Sequence, residues 1–251
     1  NLDTNGQNVT LASALTSSGG SLTKTGAGAL NLTGLPPNSS EVALNLTTNV
    51  VAGDLLANNG NYDLLFGSLD TGTLNVTGGS VSNAKGYLGY GENGVGTATM
   101  SSGTWANSGD LVLGSYGGIG TLNVTGGSVT DTNGVMGEGG SGTATVSSGT
   151  WANSGNLVVG SFYGNGTLNV TGGSVSNSNG YLGGNGVGTA TVSSGTWANS
   201  GDLVLGSYGG IGTLNVTGGS VTDINGVMGD SGSGTATVSS GTWANSGDLV
   251  V

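Results

Sequence analysis

The nine residues SSGTWANSG stand at 101–109, 147–155, 193–201 and 239–247, each copy 46 positions after the last. A catalytic motif is needed once. A motif repeated at a fixed spacing of tens of residues is the mark of a solenoid, propeller or array. The 46-residue period divides into half-units of 22 to 24 residues. One half opens GTLNVTGGSV, with its Thr at 73, 121, 167 and 213. The other opens GTATMSSGTW or GTATVSSGTW, with its Thr at 97, 143, 189 and 235. Both share a frame: Gly-Thr, an alternating stretch, a Gly turn, a short stretch around Val or Trp, Asn or Asp, then an apolar stretch with Gly. Residues 97–142 and 189–234 differ at four positions, so a 92-residue block reads as a duplication.

Within each half-unit three short runs alternate in polarity, the period of a strand. In TLNVT (73–77), Leu74 and Val76 share one face while Thr73, Asn75 and Thr77 share the other. Val81 and Asn83 take the inner face of the second run, Leu111 and Leu113 that of the third. Gly79, Gly103, Gly127 and Gly149 recur after the first run, and Gly89, Gly114, Gly137 and Gly160 after the third. A fixed Gly marks a positive φ or a backbone too crowded for a Cβ. With 56 Gly in 251 residues, helices are excluded. Hydrophobic residues make up 34% and keep their phase, which a disordered tract has no reason to do.

Three strands per unit bury nothing alone, but stacked coils merge their inner faces into one core. The expected fold is all-β: a single-stranded parallel β-helix of ten or eleven coils, about 50 Å long at ~4.8 Å per coil. A propeller needs four strands and about 40–50 residues per blade, and the frame common to both half-units argues against it. Parity places one column of Asn or Asp inside a bend: Asn83, Asn107, Asp131, Asn153, Asn177, Asn199, Asp223 and Asn245. Stacked amides there donate from coil to coil. The two Asp never fall in adjacent coils, so no two carboxylates stack in the interior. A second inner column alternates Trp105, Trp151, Trp197 and Trp243 with Val81, Val129, Val175 and Val221, large against small.

Residues 73–251 carry the regular repeats, and 1–72 follow the same logic less regularly, with Pro36-Pro37 and the stretch 35–60 reading as a loop bulging between coils. Within that first part, GSLTKTGAGALNLTG (20–34) resembles the GxLxKxGxGxLxLxG repeat of autotransporter passengers, the exported part of type V secretion proteins. The GTLNVTGGSV and GTATVSSGTWANSGDLVLG units are similar to repeats shared by those passengers and some other exported bacterial surface proteins. The resemblance covers nearly the whole chain. It implies a right-handed parallel β-helix displayed on, or released from, a bacterial outer membrane and acting as an adhesin, with membrane contact only through a C-terminal barrel outside this sequence. It also implies that the lack of Cys suits export, and it allows hydroxyl glycosylation of a Ser/Thr surface. Because the sequence starts and stops inside its own pattern, it reads as a piece of a longer protein.

The chain has no His, Cys or Arg, and Lys24 and Lys85 are its only bases. That leaves little for nucleophilic or acid–base chemistry, so no enzyme activity, cofactor or metal is expected. A net charge of −11 argues against nucleic acid and anionic membrane surfaces. The expected partner is a host or cell-surface macromolecule, or a sister rod. The candidate contact stripe is the outward side of the third run with its neighbours: Tyr87, Tyr90, Val112, Tyr116, Phe162, Tyr163, Tyr181, Val204 and Tyr208. The outer face of the first run repeats Thr-x-Asn-x-Thr and Thr-x-Thr-x-Ser, a polar grid similar to the faces of ice-binding solenoids. Exposed Thr also suits any parallel strand. The sequons at Asn75, Asn123, Asn169 and Asn215 lie on that grid. A non-enzymatic stalk with a multivalent adhesive surface is the leading expectation, a self-associating filament the next, and an ice-binding solenoid the third.

Overall fold

Val95–Met100, Thr104–Asn107 and Leu111–Ser115 form one coil of three strands, and the pattern repeats along the chain. The structure, a computed structural model, describes residues 1–15, 19–34 and 40–251. Every ladder pairing between strands runs parallel and joins equivalent positions of successive coils. Thr97, for instance, lies between Thr73 and Thr121. The third strands stack into a ten-stranded sheet. First and second strands share a twenty-stranded sheet, because 165–177 and 187–199 run unbroken through the corner between them. The chain is thus a parallel β-solenoid of about ten coils.

The corners need Gly for two separate reasons. Gly103 has φ +80°, and a Cβ there would stand 2.3 Å from the carbonyl oxygen of Gly79. Gly114 has φ +70°, and its Cβ would meet the Ser141 oxygen at 2.0 Å. Backbone of the neighbouring coil fills the space, so no side-chain rearrangement makes room. The third strand does not stop at this glycine. It kinks there and continues, as in Gly86–Tyr90 and Leu111–Ser115.

Inward columns pack as parity requires. Leu74, Ala98, Leu122, Ala144, Leu168, Ala190 and Leu214 follow one another in the first strands, all fully buried. The alternation of Leu with Ala offsets that of Val with Trp in the second strands. Trp105, Trp151 and Trp197 are fully buried, and Trp243 is partly so. The space for each indole comes from a third column. A Cβ on Gly134 would sit 2.8 Å from Trp151 Cζ2, and Gly86, Gly180 and Gly226 relate in the same way to Trp105, Trp197 and Trp243. Coils with Val carry Gly at this site and coils with Trp carry Leu, so each pair of coils fills one volume.

The irregular stretch before residue 60 is not the loop expected from its sequence. Residues 35–39, with Pro36 and Pro37, lie outside the described residues. Beyond them, Glu41–Leu44, Thr47–Val50 and Asp54–Ala57 are strands, followed by a short 3-10 turn at Asn58–Gly60. Val42, Leu44, Val50 and Leu55 are buried there, and Thr47–Val50 pairs in register with Thr73–Val76. This region keeps the corner glycine, Gly53 with φ +69° in line with Gly79, but carries Asn45 and Leu46 where the next coil has Gly67 and Gly72. In the same part of the chain, fully buried Lys24 projects among inward residues, and its ammonium donates to the carbonyls of Thr25, Gly26 and Ala52 at 2.8, 2.7 and 3.0 Å. It satisfies bend carbonyls as an asparagine does elsewhere; burial lowers its pKa while Asp54 and Asp3 oppose the shift.

Candidate interaction surface

The outward column of the third strands is continuous: Leu65, Tyr87, Val112, Val135, Val158, Tyr181, Val204, Val227 and Val250 stack in register. It is less open than its sequence implies. Val112 and Val204 are only 6% and 9% exposed, because flanking Tyr87, Val135, Tyr181 and Val227 crowd them at the ~4.8 Å coil spacing. Neither offers a contact surface. Tyr87, Tyr90 and Tyr181 are half-buried. Tyr87 packs edge-on to Tyr90 at 5.7 Å, and Tyr90 to Tyr116 at 5.3 Å. Burial raises the pKa of Tyr87 and Tyr90.

The exposed aromatics lie one step further on, at the corner leading back to the first strand. Tyr116, Phe162, Tyr163 and Tyr208 are 64, 65, 86 and 78% exposed. Tyr116, Phe162 and Tyr208 occupy one turn position, filled in successive coils by Leu69, Gly91, Tyr116, Gly139, Phe162, Asn185, Tyr208 and Ser231. All eight have positive φ, between 48° and 81°. Left-handed backbone costs a bulky residue about 1–2 kcal/mol relative to Gly, and alternate coils use Gly, Asn or Ser. In the other coils a large apolar side chain is held in solvent against that preference. Val95, Ile119, Val187 and Ile211 stand exposed beside them, at the start of the first strands. Together they make an apolar ribbon. The large turn residues recur every second coil, about 9.6 Å apart. The strand-start residues come in adjacent pairs, Val95 with Ile119 and Val187 with Ile211, separated by Ser141 and Asn165. Its concavities are shallow; one is lined by Tyr163, Asn185, Gly186, Val187, Gly209 and Ile211.

On the first strands the Thr and Asn columns stand in register from Thr47 to Thr235, half-buried where coils flank them and exposed at the Thr235 end. Asn75 donates across to Asn49 at 2.9 Å. Two amide ladders run elsewhere. The inner one is a series of pairs: Asn83 Nδ2 donates to Asn107 Oδ1 at 2.7 Å and Asn177 to Asn199 at 2.6 Å. Asn107, Asn153 and Asn199 turn instead to the backbone carbonyls of Thr130, Ser176 and Thr222. The continuous column of amide-to-amide bonds expected from the sequence is therefore interrupted after each Trp-bearing coil.

The recurrence of Asp110, Asp202 and Asp248 marks a structural or solvent-facing column in the sequence, but not the outer ladder of bonds they belong to. Lys85 Nζ and Asn133 Nδ2 both donate to Asp110, at 3.0 and 2.8 Å. Asn156 N donates to Asn133, Asn179 Nδ2 to Asn156, Asp202 N to Asn179, Asn225 Nδ2 to Asp202 and Asp248 N to Asn225. The signal was a column of Asn and Asp just before each third strand. Although burial raises it, bonds from Asn133 and Lys85 leave the Asp110 pKa below its ordinary value.

Among the described residues no three Asp or Glu side chains gather closely enough to hold a metal ion. Repeated ridges and shallow concavities are what this surface presents. Comparison with family models, with characterised proteins and with solved structures yields no match. The resemblance to autotransporter passengers thus rests on the sequence units alone.

Proposed function

We propose that this chain is a non-enzymatic segment of an exported bacterial surface protein, of the autotransporter-passenger kind, serving as a stiff stalk with a repeated adhesive edge. The observation that carries the reading is the row Leu69, Tyr116, Phe162 and Tyr208: bulky side chains kept exposed in left-handed turns where alternate coils carry Gly, Asn or Ser. Backbone preference alone favours the small residues, so the side chains are retained for what they touch. Each contact is small. Repetition along one rigid rod raises the effective concentration for the next contact, so avidity does the work of a deep pocket. The partner is a host or cell-surface macromolecule met at the outer surface.

The test replaces Tyr116, Phe162 and Tyr208 by Gly, the residue that alternate coils already tolerate. Binding to cells or matrix falls more steeply with each replacement than single-site loss predicts, while the melting temperature holds. Undiminished binding by the triple variant removes this reading. A second reading, rods associating side by side, draws on the same ribbon with the Tyr87–Tyr90–Tyr116 cluster at its flank. Mass growth with concentration, abolished in the triple variant, favours it.

A further inference from the structure

Six buried side-chain oxygens lack a hydrogen-bond partner among the described residues, and four belong to the inner ladder: Asp131 Oδ1, Asn153 Oδ1, Asp223 Oδ1 and Asn245 Oδ1. They form two pairs. Asp131 lies in register with Asn153, and Asp223 with Asn245. The equivalent pairs elsewhere are Asn83 with Asn107 and Asn177 with Asn199, where the amide of one coil donates to the oxygen of the next. Asn153 spends its own Nδ2 on the Ser176 carbonyl, which leaves its Oδ1 for the ladder. Two oxygens therefore stand where every other such step has a donor and an acceptor, and only a proton joins them.

We propose that Asp131 and Asp223 are carboxylic acids in the folded rod, each donating its Oδ1 proton to the Asn one coil on, so that both steps reproduce the amide link. The other oxygen of each acid is already committed. The Trp151 indole donates to Asp131 Oδ2 at 2.6 Å, and Trp243 to Asp223 Oδ2 at 2.5 Å, as Trp105 and Trp197 do to Asn83 and Asn177. Around Asp131 the packed coils present Asn107, Trp151 and Asn153, none of which titrates. The charged group acting on it is Asp110, whose carboxylate holds Lys85 at 3.0 Å. Asp202 takes that place for Asp223. Burial pushes the Asp131 carboxyl up to about 7 against the indole bond, with Asp110 adding to the rise, and burial shifts Asp223 in the same direction.

The device is a pH-sensitive coil step, occurring once in each 92-residue block at 131 and 223. An unfolded aspartate ionises near pH 4. The folded chain holds its proton longer, so the stabilisation is complete below about pH 4 and is lost as pH rises through about 7. Ionisation sets a carboxylate against an amide oxygen at that step and loosens the stacking.

Isotope-edited infrared spectroscopy of the full chain with 13C-labelled Asp tests the proposal. The protonated carboxyl band of Asp131 persists at about pH 5.5, where free aspartates have ionised, and fades as the pH passes neutrality. That of Asp223 outlasts the ionisation of the free aspartates. Asp131→Asn with Asp223→Asn removes both bands. Relative to the wild type it gains stability as pH rises from about 4 to about 7, and it melts above the wild type at pH 8. A spectrum with every Asp ionised at pH 5.5 overturns the proposal, since that is the result if Asn153 turns its amide toward a charged Asp131. A double variant that keeps the wild-type loss of stability between about pH 4 and 7 overturns it as well.

Discussion

Trp151 joins three columns with one side chain. Its indole lies over Gly134, stacks between Val129 and Val175, and donates to Asp131 in the preceding coil. Trp151→Ala is expected to cost about 3–5 kcal/mol in urea unfolding, from the cavity and from the lost donor. The same change at partly buried Trp243 costs less. Lys85→Ala costs under about 1 kcal/mol, because its bond to Asp110 is half-exposed. Which residues face inward was legible from parity alone. The Trp-to-ladder bond was not, since it joins Trp105 to Asn83, a position two residues further along the strand and one coil earlier. Alternation within a single strand carries no information about such a diagonal.

Among the elements, corners and strands divide the labour. Gly114→Ala places a methyl 2.0 Å from a backbone oxygen, whereas Gly134→Ala meets only side-chain atoms of Asn153, Leu157 and Trp151. The two substitutions should part in a double-mutant cycle: Trp151→Leu rescues part of the loss from Gly134→Ala and none from Gly114→Ala, as read by chemical denaturation. The glycine columns made the regular coils plain in the sequence. Residues 41–57 are harder to read, because Gly53 is their one corner glycine and Asn45 and Leu46 replace the Gly67 and Gly72 of the next coil. Pairing with the coil above, through Glu41 to Asp63 and Thr47 to Thr73, fixes their register instead.

At the scale of the whole molecule, repetition turns small local choices into surfaces. The sequence marked Tyr116, Phe162, Tyr163 and Tyr208 as neighbours of a third-strand stripe, but not as the exposed part of it. The distinction lies in a left-handed turn and in crowding between coils, and a single unit shows neither. The coils stack so that like residues become vertical neighbours. The chain contains no Cys, so paired spin labels introduced at outward Thr positions report that geometry without interference. From Thr73→Cys to Thr97→Cys, Thr121→Cys, Thr189→Cys and Thr213→Cys, the separation should grow in proportion to coil number. The increment is about 4.8 Å per coil, reaching about 29 Å at the last pair. Distances that level off or shorten with coil number, as around a closed ring of blades, would contradict it.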